Sequence, residues 1–143
     1  MLLGIDPLLS GELLHVLDDM GHSDRLLLAD ANFPLIRYSC PVIRVGDVPM
    51  SRVLDAVLSV FPLNEPRDEA VTRMRDEADP ASLNAAQRAC LEVMRRIDPQ
   101  IRYRVPPLVD FYAEVKTVAA IVHMIEPTPR SCLILKKGII IPA

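Results

Sequence analysis

The sequence has little of what several protein classes require. No apolar run approaches the ~18 residues that indicate a membrane-spanning helix, and the N-terminus MLLGIDPLLS has neither the cationic start nor the cleavage site of a signal peptide. Its three cysteines, Cys40, Cys90 and Cys132, are far apart and form no CxxC pair, which argues against a disulfide framework or a zinc knuckle. We therefore expect a cytoplasmic protein with free thiols and no membrane partner.

Motifs for nucleic acids, nucleotides and covalent catalysis are also missing. Sixteen basic and nineteen acidic residues give a net charge of −3, and no basic stripe with interleaved aromatic residues indicates a nucleic-acid partner. There are five glycines and no GxGxxG, Walker or GxSxG motif, so neither a phosphate-binding loop nor a serine nucleophile is predicted. We expect no cofactor and no metal site.

What is present is an ordinary globular composition. The chain has 143 residues, of which half are apolar and about a quarter are charged, enough to bury a core within one domain spanning residues 1–143. Thirteen prolines, a modest excess, stand mostly at the edges of the periodic segments.

Helical patterns alternate with short apolar runs along the chain. The predicted helices cover residues 10–21, 51–61, 83–97 and 108–117, and the predicted strands cover 25–29, 41–45, 101–105, 118–124 and 132–135. The charged segment 65–79 is predicted to be a loop or a surface helix, and the C-terminal CLILKKGIII to be an edge strand. This alternation predicts an α/β domain with three layers, in which helices flank a largely parallel central sheet.

The stretch GHSDRLLLADANFP, residues 21–34, is the least generic part of the sequence. His22 follows a helix end and Asp30 follows the first strand, at the edge where open α/β sheets bind ligands. Structural explanations exist for both, since a histidine complements a helix dipole and an Asp-Ala-Asn turn caps its own backbone. A metal site of His22, Asp24 and Asp30 has no standard ligand spacing. His123, at a strand end, is open between packing and function.

This stretch resembles the signature of the L-fucose mutarotase and D-ribose pyranase family. ILKKG at residues 134–138 resembles the last strand of that family. The start LLGIDPLLSGELLHVLDDMGH, the segment FPLIRYSCPVIRVGDVPMSRVLDAVL and the Phe111-Tyr112 pair look like the mutarotase branch. The resemblance runs from end to end and is weakest over residues 64–97.

The resemblance implies a cofactor-free isomerase that interconverts the anomers or ring forms of a monosaccharide such as L-fucose. His22 would transfer protons and Asp30 would hold sugar hydroxyls, the two converging on one pocket at the carboxyl edge of the sheet. An imidazole titrates near neutrality and serves as either acid or base. The family also implies a closed homo-oligomer, often a decamer, with sites near subunit interfaces. The alternatives are a non-catalytic sugar-binding or sensing protein and an assembly scaffold.

Two departures from the family pattern bear on the substrate. Arg130-Ser131-Cys132 stands where the family commonly has Tyr-Gly-Asn or Tyr-Ala-Asn, and Leu108 stands where mutarotases carry an arginine. By this alignment we assign Arg130, Ser131 and Cys132 to substrate binding. Arg104, close along the chain to Leu108, is assigned as the substitute for the missing arginine, because a guanidinium offers five N–H donors. The alternative is that both arginines face solvent.

Overall fold

A five-stranded mixed sheet forms the centre of the molecule. The structure is a computed structural model and describes residues 1–143. The strands are β1 (Arg25–Ala29), β2 (Val42–Gly46), β3 (Val71–Arg73), β4 (Ala120–Met124) and β5 (Leu133–Lys136), in the order β2-β4-β1-β5-β3. Strands β2, β4 and β1 are parallel, whereas β5 is antiparallel to both β1 and β3. The parallel strands therefore end at one common edge.

Four helices flank the sheet, and a side chain caps the first turn of two of them. They are α1 (Gly11–Asp19), α2 (Met50–Leu58), α3 (Ala85–Ile97) and α4 (Leu108–Val115). The Ser10 side chain accepts the Leu13 N–H, and Asn84 forms a capping box with Gln87. None of these helices has the length and apolar character needed to cross a bilayer.

The second helix begins one residue earlier than the sequence predicts. Pro49 precedes its first turn, and the Pro49 carbonyl accepts the N–H groups of Arg52 and Val53. The fixed φ of proline suits the residue that enters a helix, so the backbone begins the helix without a side-chain cap.

Two hydrophobic cores lie on opposite faces of the sheet. Helices α1, α2 and α3 pack on one face with Leu26 and Leu28 of β1. Helix α4 packs on the other face with Leu27 and Ala29. Successive side chains of a strand point to opposite faces, so the continuous apolar run of β1 serves both cores. The predicted three-layer α/β architecture is confirmed.

Two of the predicted segments differ from the structure. Residues 65–79 contain strand β3, whose three residues are all buried, because pairing with β5 draws this segment into the sheet despite its charged flanks. The predicted strand at 101–105 is absent, and only Arg104 forms an isolated bridge, to Thr72. The prolines at 106 and 107 have no N–H to extend this pairing.

Strand β5 lies inside the sheet rather than at its edge. It is paired on both sides, with β1 and with β3, so the edge-strand prediction is wrong. The two lysines at the end of β5 therefore do not serve to prevent edge-to-edge pairing with another chain. Lys137 instead donates to the carbonyls of Leu17 and Met20 at the end of α1, where a cation is favourable.

Gly138 is expected to tolerate no side chain. A Cβ built there would lie 2.3 Å from the Leu63 carbonyl oxygen, and the Gly138 N–H donates to the Pro62 carbonyl at 2.7 Å. We expect Gly138→Ala to lower the free energy of unfolding by about 1–3 kcal/mol, measured by urea denaturation. Gly11→Ala is the matched control, since nothing lies within 4 Å of its added methyl group. An unchanged midpoint for Gly138→Ala would contradict the expected clash.

Candidate functional site

The carboxyl ends of the parallel strands bring three residues into one row. In the strand register, His123 of β4 lies opposite both Ala29 of β1 and Arg44 of β2. Residues two positions earlier, such as Ile121, pack in the α4 core, so alternation places His123 and Arg44 on the α4 face. Asp30 follows Ala29 directly. This edge is where ligand sites of open α/β sheets form.

Asp30 is buried and is held by its own chain. Only 3% of the residue is exposed. Its Oδ1 accepts the Asn32 N–H at 3.1 Å, and its Oδ2 accepts the Ser131 N–H at 3.0 Å and the Cys132 thiol at 3.4 Å. The backbone-capping interpretation of the Asp-Ala-Asn turn is therefore confirmed. A carboxylate has about four acceptor positions, so one position, on Oδ1, remains for a ligand hydroxyl.

Ser131 and Cys132 support Asp30 from inside the protein. Both residues are fully buried, and the Ser131 hydroxyl donates to the Thr128 carbonyl at 2.8 Å. Burial, reinforced by the Asp30 charge, raises the pKa of the Cys132 thiol well above its ordinary value, so the thiol stays protonated and donates to the carboxylate. Neither side chain reaches the surface of the single chain.

An aromatic wall stands beside Asp30. We use this term for Phe33, Tyr38 and Tyr112, whose rings stack with centroids 5.5 Å apart for Phe33 and Tyr38 and 6.2 Å apart for Phe33 and Tyr112. Burial raises the pKa of Tyr112, and the nearby Cys132 and Asp30 raise it further, so its phenol stays neutral. Both tyrosines are half-buried and offer an apolar ring with a polar tip. Sequence reasoning missed Tyr38, although its closeness to Asp30 along the chain was a usable signal.

His123 is half-buried and shares this side of the sheet with Asp30. Burial lowers the pKa of its imidazole and the Arg44 charge lowers it further, whereas a contact with the Ala31 backbone and the Asp30 charge oppose the shift. The imidazole is therefore neutral at pH 7. The sequence left the role of this histidine open, because the strand register that aligns it with Ala29 is not visible in a sequence.

The two predicted arginines lie in different places. Arg130, which precedes Ser131, is exposed and adopts a left-handed conformation with φ of 58°. Its guanidinium lies 3.2 Å from the Asp76 carboxylate. Arg104 instead pairs with Glu114 at 2.6 Å and lines a separate cleft of about 240 Å³ with Arg25 and Lys136. The structure therefore does not bring Arg104 to Asp30, because the Glu114 carboxylate on α4 holds its guanidinium.

His22 is exposed at the opposite end of β1 from Asp30. Its Nε2 lies 2.9 Å from the Asn64 Oδ1, and Asn64 is buried and donates its N–H to the Lys136 carbonyl. A strand rises about 3.3 Å per residue, so β1 separates His22 from Asp30 by roughly 17 Å. The expected convergence of these two side chains in one pocket of a single chain is wrong. The set His22, Asp24 and Asp30 cannot share a metal either, and no other metal-binding cluster of three His, Cys, Asp or Glu side chains is present.

A large apolar cavity lies away from Asp30. It has a volume of about 420 Å³ and lies between the C-terminal ends of α2 and α3, with Phe61, Met94 and Ile101 in its lining. Polar residues also line it, among them Glu65, Arg67 and Asp98. Asn64, the partner of His22, is another lining residue.

Similarity to known proteins extends over nearly the whole chain. Residues 3–140 match the RbsD / FucU transport protein family. An L-fucose mutarotase of Actinobacillus pleuropneumoniae is 32% identical over 143 residues, covering 97% of each chain. The crystal structure of Atu2016, described as a candidate sugar-binding protein, superposes with a TM-score of 0.93 at 29% identity, covering 99% of this chain and 97% of that one. The fucose mutarotase of Streptococcus pneumoniae in complex with L-fucose gives a TM-score of 0.78 at 28% identity, covering 98% and 100%.

Proposed function

Because the chain belongs to the RbsD / FucU transport protein family, we propose that it is a monosaccharide mutarotase. It opens and closes the hemiacetal ring of a pyranose such as L-fucose without a cofactor. One observation carries this proposal: Asp30 is fixed at the carboxyl edge of β1 with one acceptor position unused, next to the aromatic wall. A hydroxyl of the sugar would fill that position while its apolar ring face packs on Tyr112.

The reaction requires two coordinated proton transfers. A base takes the proton of the anomeric hydroxyl while an acid protonates the ring oxygen, and the bond between that oxygen and the anomeric carbon breaks. The open-chain aldehyde rotates, and the reverse transfers close the ring on either face. His22 is the proposed proton-transfer residue, and general acid–base catalysis of this kind contributes about 10²–10⁴-fold. The exposed Arg130 is the proposed hydrogen-bond donor to the sugar. Ser131 and Cys132 do not touch the sugar in this proposal and instead hold the Asp30 carboxylate in place.

A closed homo-oligomer would complete the site. Since β1 separates His22 from Asp30 within one chain, the proposed site contains Asp30 of one copy and His22 of a neighbouring copy. Ile36 and Val109 support such a contact, because both lie near the aromatic wall in sequence and are 97% and 75% exposed. We propose a cytoplasmic oligomer, with the decamer implied by the family resemblance as its size.

Anomer exchange measured by NMR saturation transfer tests the proposed activity. We expect the wild-type protein to accelerate exchange between the anomeric signals of L-fucose or a related pyranose, and His22→Ala to reduce that acceleration by about 10²-fold or more. His15→Ala is the matched control, since this histidine is exposed in α1 and pairs only with Asp19. Acceleration of no sugar across a panel of aldoses would contradict the proposal.

A non-catalytic sugar-binding protein is the second candidate. The position of His22 at the opposite end of β1 from Asp30 favours it, because the Asp30 site of a single chain lacks the proposed proton-transfer residue. Such a protein would show a higher melting temperature in the presence of a sugar, with no faster anomer exchange. A mutarotase shows both effects with the same sugar.

A further inference from the structure

We propose that His123 is a second proton-transfer residue of this site, carried by the same chain as Asp30. This inference rests on the proposed mutarotase function and deepens it. In the proposed site, His123 acts on the anomeric hydroxyl and His22 of the neighbouring copy acts on the ring oxygen.

The position of His123 is set by a rigid part of the fold. It lies in β4, directly opposite Ala29 of β1, and neighbouring strands are about 4.8 Å apart. The segments that follow the two strands are also joined, because the Ala31 N–H donates to the Glu126 carbonyl at 3.0 Å. His123 therefore has a fixed position beside Ala29, the residue before Asp30, on the face of the sheet that carries the aromatic wall.

The surroundings of His123 suit a general base. The charged groups that face it are Arg44, from β2, and Asp30, from the segment after β1. Half-burial and Arg44 keep the imidazole neutral at pH 7, so it can accept a proton, and the Asp30 carboxylate stabilises the imidazolium that forms. A neutral imidazole has one ring nitrogen without a proton, and this nitrogen is the proposed acceptor for the sugar hydroxyl.

The proposed step is balanced in protons and electrons. The free nitrogen of His123 takes the anomeric hydroxyl proton, and the oxygen lone pair forms the carbonyl as the bond to the ring oxygen breaks. That bond pair takes a proton from the protonated His22 of the neighbouring copy. Ring closure reverses both transfers and returns each histidine to its starting state.

The anomer-exchange rate of His123→Gln tests this assignment. On the sugar that the wild-type protein turns over, we expect a fall in rate of about 10²-fold, with the sugar-induced rise in melting temperature retained. His15→Gln is the control and should leave both measurements unchanged, because His15 is exposed in α1. A His123→Gln protein whose exchange rate stays within about threefold of wild type would overturn the inference.

The pH profile separates a chemical role of His123 from a structural one. Protonation of the imidazole removes the base, so the wild-type rate should fall as the pH decreases through a value below the ordinary pKa of histidine. The His123→Gln protein should not show this decrease in rate at low pH. An unchanged decrease in the variant would overturn the inference.

The activities of the wild-type and His123→Gln proteins together distinguish a failure of the proposed function from a failure of the His123 assignment. A wild-type protein that accelerates no sugar overturns both together, whereas an active wild type with a fully active His123→Gln variant overturns only the inference. If His123→Gln fails to fold, the histidine signals of the wild-type protein are titrated by NMR with and without L-fucose. The sugar should shift the apparent pKa of His123, and no shift would overturn the assignment.

Discussion

Replacing Asp30 with asparagine is expected to slow anomer exchange by about 10³-fold, a loss of roughly 4 kcal/mol of transition-state stabilisation. A hydrogen bond from a sugar hydroxyl to the charged carboxylate contributes about 1.5–3 kcal/mol, and the amide no longer provides the charge that favours an imidazolium at His123. The amide NH₂ also has to face a backbone N–H, either that of Asn32 or that of Ser131, because both now donate to the carboxylate.

The stability of the Asp30→Asn protein is measured alongside its activity. The unsatisfied backbone donor should lower the free energy of unfolding by about 1–3 kcal/mol, so exchange rates are compared well below the melting temperature. Asp19→Asn is the matched control, because Asp19 is exposed in α1 and contacts only His15. A wild-type rate of anomer exchange in the Asp30→Asn protein would show that Asp30 is not part of the site.

Co-expression of His22→Ala and Asp30→Asn chains is expected to restore activity that each variant lacks alone. If His22 of one copy faces Asp30 of the next, random assembly leaves about a quarter of the sites with both native residues. The restored exchange rate should therefore approach about a quarter of the wild-type rate per chain. The large separation of His22 from Asp30 along β1 leads to this expectation.

A second co-expression shows whether assembly itself causes the recovery. Asp30→Asn chains mixed with chains carrying both substitutions contain no intact Asp30 and should stay inactive. If the first mixture also gives only the summed residual rates of its two variants, the site does not form between copies. The mass of each mixture, measured by native mass spectrometry, establishes that the chains assembled together.

Much of the architecture follows from local sequence patterns. The apolar run RLLLA predicts β1 with its observed bounds, and the periodic apolar residues of α1, α2, α3 and α4 predict all four helices to within a few residues. The patterns failed where pairing partners decide the structure. Strand β3 is three residues long between charged flanks, and β5 lies inside the sheet because β3 covers its outer edge.

The candidate site was predicted only in part. His22 and Asp30 are visible in the sequence because the stretch that holds them resembles a family signature, and the Asx turn at Asp30 is local chemistry. Arg104 shows the limit of such reasoning: its nearness along the chain to Leu108, where mutarotases carry an arginine, suggested a substrate role. The Glu114 carboxylate on α4 holds it instead in another cleft.

The sequence by itself determined the family, all four helices and four of the five strands, and it singled out His22 and Asp30 as candidate site residues. The tertiary structure alone decided that these two lie at opposite ends of β1, because an extended strand keeps its ends apart. It also decided that Arg44, His123 and Ala29 form one row. These residues are far apart along the chain, and only the hydrogen-bond register of β2, β4 and β1 places them side by side.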